Sequence, residues 1–195
     1  MINEIRDYLI LDVESCPNNL KGYDTLSEED KLKLLNPIDS RIVALGVRHK
    51  GEDTIILAGD EKKMLEEFWI LWKKKMMGDP TLKVVGFNIK EFDIPFIVTR
   101  SFINDVEVFP FTLNKIIDIR EKISAYRWGR TRGRLKEYAA LIGVEDLGID
   151  GSDVAGLCAK GEFETLRKYL LNDLLITDKM FQRLLKTKIA YITHK

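Results

Sequence analysis

Near its amino terminus the chain reads Leu9-Ile10-Leu11-Asp12-Val13-Glu14-Ser15, an apolar run that ends in two acids. We expect residues 8–13 to form a buried central strand, in which alternate side chains share a face. Asp12 and Glu14 then point to one spot where the strand leaves the sheet. Such close like charges favour a cation between them, and carboxylate oxygens suit Mg²⁺, Ca²⁺ or Mn²⁺. An ordinary strand end with two solvated acids fits this short pattern equally well.

The composition is that of a globular protein without a charge bias. The chain has 195 residues, which fits a single domain over residues 1–195 with a substantial core. Basic and acidic residues balance at 31 each, so net charge neither marks nor excludes a nucleic-acid-binding protein. Cys16 and Cys158 are far apart, and no apolar run could span a bilayer. These features predict a reducing, cytoplasmic setting and no membrane partner.

Several enzyme classes lack their usual residues in this sequence. His49 and His194 are the only histidines, which argues against zinc sites built on histidine pairs and against Ser-His-Asp triads. No Gly-x-x-x-x-Gly-Lys loop occurs, which argues against the common ATPases.

Strands and helices alternate along the rest of the chain, as in an α/β protein. A polar excursion over residues 15–40 contains a short helix that Ser27 caps. The predicted strands cover residues 41–48 and 54–58, as a hairpin, and then 84–87 and 114–118. The predicted helices cover residues 61–77, a segment from 93 after a turn at 88–92, then 135–142, 152–158 and 162–185.

Two later stretches carry further polar residues at informative spacings. Asn88-x-x-x-Phe92-Asp93 follows a predicted buried strand. Asp93 lies where this strand passes into a helix, a place where ligands often bind in α/β sheets. Tyr169 and Asp173 are four residues apart on the last helix, so both side chains lie on one face. Taken alone, the second pattern is also that of a surface acid beside a half-buried tyrosine.

The order and spacing of these three stretches resemble the DEDD superfamily of 3′–5′ exonucleases, in the branch with a tyrosine before the last aspartate. The similarity is to the proofreading domains of family B DNA polymerases and their stand-alone relatives, and it extends from residue 8 to the last helix. It implies an RNase H-like α/β fold, with a mixed five-stranded sheet flanked by helices. Ser15 stands where threonine is frequent in the family.

The resemblance also implies roles for the acids and the tyrosine. The carboxylates that would hold two Mg²⁺ or Mn²⁺ ions are Asp12, Glu14, Asp93 and Asp173. Asp12 would bridge both ions, Glu14 and Asp173 would hold the ion that activates water, and Asp93 would support the other. Tyr169 would orient the attacking water, because an ordinary tyrosine pKa of about 10 makes a poor general base.

Substrate contacts are expected at Asn88 and Phe92 and in a basic, glycine-bearing stretch over residues 127–134. The candidate ligands in that stretch are Arg127, Trp128, Arg130, Arg132 and Arg134. Guanidinium groups suit phosphates, and an aromatic ring suits stacking on a base. A solvated turn is the alternative for this stretch. Asp118 is expected to be a strand-end acid rather than an auxiliary ligand.

The predicted function is metal-dependent 3′–5′ exonuclease action on single-stranded DNA, in proofreading or DNA repair. The expected partners are 3′ ends of nucleic acid and a replication or repair protein. An RNA-trimming enzyme on the same fold is one alternative, because the motifs do not reveal whether a 2′-hydroxyl is recognised. A non-catalytic module that binds nucleic acid or a polymerase is another, and the presence of all four carboxylates argues against it.

Overall fold

A mixed five-stranded sheet with helices on both faces forms the centre of the molecule. The structure is a computed structural model and describes residues 4–126, 133–146, 148 and 154–193. The sheet and its flanking helices confirm the α/β class expected from the alternation of strands and helices, and the mixed five-stranded sheet that the resemblance implies.

The sheet has the central strand that the sequence predicted. The strands are β1 (Tyr8–Pro17), β2 (Ser40–His49), β3 (Thr54–Ala58), β4 (Lys83–Gly86) and β5 (Ile116–Asp118). Their order across the sheet is β3-β2-β1-β4-β5, so β1 has a partner on each side. The β2–β3 hairpin and the β1–β2 pair are antiparallel, whereas β4 pairs parallel with β1 and with β5.

The helices follow the predicted segments closely, except that the short helix α4 was not predicted. They are α1 (Glu28–Lys33), α2 (Glu61–Gly78), α3 (Asp93–Ile103), α4 (Ile119–Ile123), α5 (Leu135–Leu141), α6 (Val154–Lys160) and α7 (Phe163–Lys186). Short 3-10 turns lie at Tyr23–Thr25, Leu113–Lys115 and Ile189–Tyr191. In the part of the chain that the structure describes, none of the helices has the length and apolarity needed to cross a membrane.

Alternate residues of β1 supply two separate cores, as the two-residue period of a strand requires. Leu9, Leu11 and Val13 belong to the core that contains the aromatic side chains of α2. Tyr8 and Ile10 belong to the core on the opposite face, which is formed largely by α7. Each such side chain contributes about 1.5–3 kcal/mol when it is fully buried. Asp12 and Glu14 continue the row of side chains that faces α7.

The strand β1 is longer than predicted, which corrects the expected position of its acids. It continues to Pro17, because β2 pairs with it as far as Pro17 and Ser40. Asp12 and Glu14 therefore do not lie at the end of the strand. The pairing of β1 with β4 stops at Ile10, just before these two acids. The edge of β1 that faces β4 is therefore open beside Asp12 and Glu14.

The excursion that follows β1 consequently covers residues 18–39 rather than starting at Ser15. A hydrogen bond from Asn18 N–H to Asp39 O, at 2.8 Å, closes its base. Within it, the Ser27 side chain accepts from Asp30 N–H at 3.1 Å and caps α1, as predicted. The excursion is thus a closed loop with its own helix.

One other predicted boundary differs from the structure, and another lies outside the described residues. The last strand was expected from Asn114, but residues Leu113–Lys115 form a 3-10 turn and β5 begins at Ile116. The helix expected to open at Ser152 is described from Val154 onward, and Ser152 itself lies outside the described residues.

Candidate active site

Three carboxylates meet where the open edge of β1 faces α7. Asp12, Glu14 and Asp173 each place a carboxylate oxygen within 4.8 Å of the others, and we call these residues the acid cluster. Glu14 and Asp173 are buried, whereas Asp12 is half-buried. The strand period places the first two side by side, and the packing of α7 adds the third.

The close approach of α7 depends on Gly46, which lies opposite Asp12 in the β1–β2 ladder. Leu170 and Leu174 of α7 pack against this glycine and occupy the space where a side chain would lie. Asp173 precedes Leu174 in the chain, so the same packing brings its carboxylate to the strand.

Asp93 lies beside the acid cluster but is not one of its mutually close members. It is the first residue of α3 and is 2% exposed. Its carboxylate accepts a hydrogen bond from Val13 N–H at 3.0 Å. Its carboxyl group is also a close neighbour of that of Asp12. Burial is the main cause that raises the pKa of Asp93 to about 7.

Burial and the negative charges of neighbouring carboxylates make ionisation of the acid cluster unfavourable. Burial raises the pKa of Asp12 well above its usual range, and the nearby charges of Asp93, Glu14 and Asp173 raise it further. The pKa of Glu14 is raised for the same reasons, and that of Asp173 is raised chiefly by burial. A bound cation would remove this repulsion.

Tyr169 lies one helical turn before Asp173, as its spacing predicted. Its side chain is largely buried, and its hydroxyl lies beside the Asp173 carboxylate. Burial and the charges of Glu14 and Asp173 raise the pKa of Tyr169 far above its usual value. The phenol therefore stays protonated across the physiological pH range.

Lys136 is a residue of this site that sequence reasoning missed. Its Nζ lies 3.8 Å from Asp173 Oδ1 and 4.4 Å from the centre of the Tyr169 ring. Its charge lowers the pKa of both Glu14 and Asp173 and so opposes the effect of burial. A lysine in the first turn of a predicted helix carries no signal of this role, because the role arises only when α5 packs on α7.

The structure gives Asn88 and Phe92 clear positions next to the end of β4. Asn88 has a positive φ of 60°, and its side-chain oxygen accepts from Arg120 at 3.3 Å. Phe92 packs against Phe96 in the core near α3, with ring centres 5.1 Å apart. Both remain predicted substrate contacts, and each also has a packing role.

Asp118 organises the turn that contains Asn88. It accepts backbone hydrogen bonds from Asn88 at 3.0 Å, from Lys90 at 3.2 Å and from Arg120 at 2.9 Å. Its carboxylate is thus engaged with backbone N–H groups, as a strand-end acid would be.

Most of the predicted basic stretch lies outside the described residues, namely Arg127, Trp128, Arg130 and Arg132. Arg134 is described and exposed, at the position that precedes α5. Its backbone N–H donates to Glu137 Oε2 at 2.7 Å, which fixes the start of the helix that carries Lys136.

The donor set of the acid cluster fits a hard divalent cation. Carboxylate oxygens are the preferred ligands of Mg²⁺ and Mn²⁺, and these three converge within 4.8 Å. Buried acids with raised pKa values also gain the most from a cation that offsets their charge.

Comparison with known proteins identifies the group to which this arrangement belongs. Residues 40–191 match the model of a family described as a predicted 3′–5′ exonuclease related to the exonuclease domain of PolB. The chain belongs to this family. The resemblance inferred from the sequence is therefore confirmed. The matched range starts after Asp12 and Glu14, so the family match does not include these two residues.

Two known proteins are similar to this PolB-like exonuclease domain, one in sequence and one in structure. An uncharacterized protein of Methanocaldococcus jannaschii is 30% identical over 137 residues, which are 67% of this chain and 73% of that protein. The family B DNA polymerase from the hyperthermophilic archaeon Pyrobaculum calidifontis superposes with a TM-score of 0.68 at 18% identity. That match covers 94% of this chain but only 25% of the polymerase chain. It confirms the fold, the RNase H-like exonuclease fold of family B polymerases.

Proposed function

We propose that the protein is a metal-dependent exonuclease that hydrolyses phosphodiester bonds from the 3′ end of single-stranded DNA. The observation that supports this most strongly is the convergence of Asp12, Glu14 and Asp173 within 4.8 Å on an exonuclease fold. DNA is favoured because the family is related to the exonuclease domain of PolB and the similar structure is a DNA polymerase. Proofreading or repair, together with replication or repair proteins, would be the setting for such an activity.

The residues of the acid cluster would hold divalent cations, and Asp93 would support them from beside Asp12. When bound, these cations lower the pKa of the attacking water and offset the charge that develops on the phosphoryl and leaving oxygens. Asp93 keeps Asp12 in place, because its carboxylate is fixed by the backbone of Val13 at 3.0 Å.

Tyr169 would orient the water that attacks the phosphorus. Its hydroxyl is next to Asp173, and its raised pKa keeps the proton on the oxygen across the physiological range. A buried, preorganised hydrogen bond of this kind contributes more than the same bond in water. Lys136 offsets part of the negative charge from 3.8 Å and holds the Tyr169 ring from one side.

The test is digestion of a 5′-labelled single-stranded DNA and of the RNA of the same sequence, with Mg²⁺ and Mn²⁺ titrated separately. We expect a ladder that shortens from the 3′ end, requires either cation and stops on addition of a chelator. Asp12→Asn should remove the ladder. Glu66→Gln, which removes an exposed acid from α2 on the opposite face of the sheet, should leave it unchanged.

Other results would overturn parts of the proposal. Faster digestion of the RNA would replace DNA by RNA as the substrate on the same site. Binding of either strand without any cleavage, with both cations present, would identify a non-catalytic nucleic-acid-binding module. Cleavage that Asp12→Asn leaves intact would remove the acid cluster from the reaction.

A further inference from the structure

Lys136 lies between two carboxylates, and only one of them belongs to the acid cluster. Its Nζ is 3.8 Å from Asp173 Oδ1 and 3.5 Å from Asp146 Oδ1. Asp146 follows α5 in the chain and has no part in the function proposed above. The ammonium group thus has a carboxylate within 4 Å on each side.

Asp146 is held in place by α7 itself. The Asn172 side-chain N–H donates to Asp146 Oδ1 at 2.7 Å and lies 3.4 Å from Asp173 Oδ1. Asn172 is 5% exposed and the Asp146 side chain is 27% exposed, so this contact is partly buried. The hydrogen bond from Asn172 holds the Asp146 carboxylate beside Lys136.

A divalent cation and Lys136 compete for the same carboxylate. Two positive charges a few ångströms apart repel each other strongly when they are partly buried, and the side chain of Lys136 is 24% exposed. An ammonium group that leaves Asp173 needs another counter-charge, because an unpaired charge in such a place is unfavourable. Asp146 offers that counter-charge at 3.5 Å.

We propose that Asp146 is a positioning residue that receives the Lys136 ammonium when Asp173 binds a divalent cation. Asp146 thereby lowers the cation concentration that the acid cluster needs, although it does not bind the cation. The inference rests on the proposed function in one respect, since it takes the acid cluster to be the cation site.

The experiment is a double-mutant cycle on cation binding, which needs no nuclease activity. Mn²⁺ binding to chelator-stripped protein is measured by calorimetry and by electron paramagnetic resonance, for the wild type, Asp146→Asn, Lys136→Met and the double variant. We expect Asp146→Asn to weaken Mn²⁺ binding roughly 10-fold, at the low end of the range for partners of metal ligands. Lys136→Met should strengthen binding, and adding Asp146→Asn to it should change nothing further.

Two matched variants separate this coupling from a general charge effect. Glu145→Gln removes the same charge from the adjacent, exposed position and should leave Mn²⁺ binding unchanged. Asp146→Glu keeps the charge and should retain most of the wild-type affinity. Thermal melting of the metal-free variants checks their folding, and Asp146→Ser takes the place of Asp146→Asn if the latter does not fold.

Each outcome decides a different point. An effect of Asp146→Asn that persists in the Lys136→Met background would overturn the inference, because Asp146 would then act on the cation directly. An equal effect of Glu145→Gln would also overturn it. Coupling without nuclease activity would leave the inference standing and remove the proposed function, whereas a wild type that binds no Mn²⁺ would remove both.

Discussion

Gly46 and Leu174 lie closer together than any other residue type at position 46 would permit. A Cβ atom at Gly46 would lie 2.4 Å from Leu174 Cδ1, and Leu170 Cγ would be 3.1 Å away. Gly46 pairs with Asp12 across the β1–β2 ladder, and Leu174 follows Asp173. A missing side chain in β2 therefore sets how near the helix brings Asp173 to the strand.

We expect Gly46→Ala to lower both stability and activity. The added methyl group must displace Leu174 and push α7 outward, and overpacking of this kind costs typically about 1–3 kcal/mol. Urea denaturation should show the loss in the free energy of unfolding. The cleavage rate should fall further than this loss of stability explains, because the carboxylates separate.

A second glycine provides the control for this experiment. Gly78, the last residue of α2, has nothing within 4 Å of the position that a Cβ atom would take. Gly78→Ala should therefore leave activity unchanged and alter stability only slightly. Equal losses in the two variants would show that the packing at Gly46 has no special effect.

Neutralising one acid of the cluster should separate stability from activity. We expect Asp12→Asn and Asp173→Asn to raise the melting temperature of the metal-free protein, because each removes repulsion among buried carboxylates. Cleavage should fall by more than about 100-fold, since even partners of metal ligands are worth 10- to 100-fold. Calorimetric melting in chelator and a cleavage assay measure the two effects, and near-wild-type cleavage in either variant would contradict the site assignment.

The metal-free protein should become less stable as the pH rises toward and through 7. Asp93 has a folded-state pKa of about 7, raised mainly by burial, whereas an unfolded aspartate titrates near pH 4. Between these values the folded state holds a proton that the unfolded state has lost, so stability falls as the pH increases. The pKa values of Asp12, Glu14 and Asp173 are raised as well and act in the same direction.

Melting temperatures measured in chelator across this pH range test the prediction. Asp93→Asn keeps the hydrogen bond to Val13 N–H, cannot titrate, and should flatten the curve near pH 7. Saturating Mn²⁺ should also flatten it, because a bound cation favours the ionised carboxylates. If the stability of the metal-free wild type rises steadily to pH 8, the pKa values of these acids are not raised in the folded protein.

Tyr169→Phe should slow turnover by roughly 10- to 1000-fold, the range around the loss of one preorganised hydrogen bond. Mn²⁺ affinity and the Michaelis constant should change little, because the ring still packs beneath Lys136. Single-turnover cleavage and Mn²⁺ calorimetry on the same preparation measure both. Full activity in the variant would reduce Tyr169 to a packing residue.

The sequence was sufficient to predict which acids and which tyrosine lie at the site. It was less informative about the strand length and the packing contacts that position them. The strand period brings Asp12 and Glu14 to one face, and the helical period brings Tyr169 and Asp173 to another, so both pairs follow from local geometry. The length of β1 did not follow, because Ser15 and Cys16 look like loop residues until β2 covers them.

The contacts that tune the site depend on packing between distant segments and leave no local pattern. Lys136 and Asp146 look like solvated surface charges, and only the docking of α5 on α7 brings them to Asp173. The hydrogen bond from Val13 N–H to the Asp93 carboxylate likewise joins β1 to α3, which are far apart in the chain.

The helix α7 ties the neighbouring strands β1 and β2 together as well as supplying residues of the site. Leu170, Leu174 and Phe181 are 0% exposed, and Asp178 accepts hydrogen bonds from Tyr8 at 2.7 Å and from Arg48 at 3.0 Å. No part of the helix near Tyr169 can detach without opening the core on that face of the sheet. Amide hydrogens in the buried middle of this helix should therefore exchange only through global unfolding, and heat should inactivate and unfold the protein in one cooperative transition.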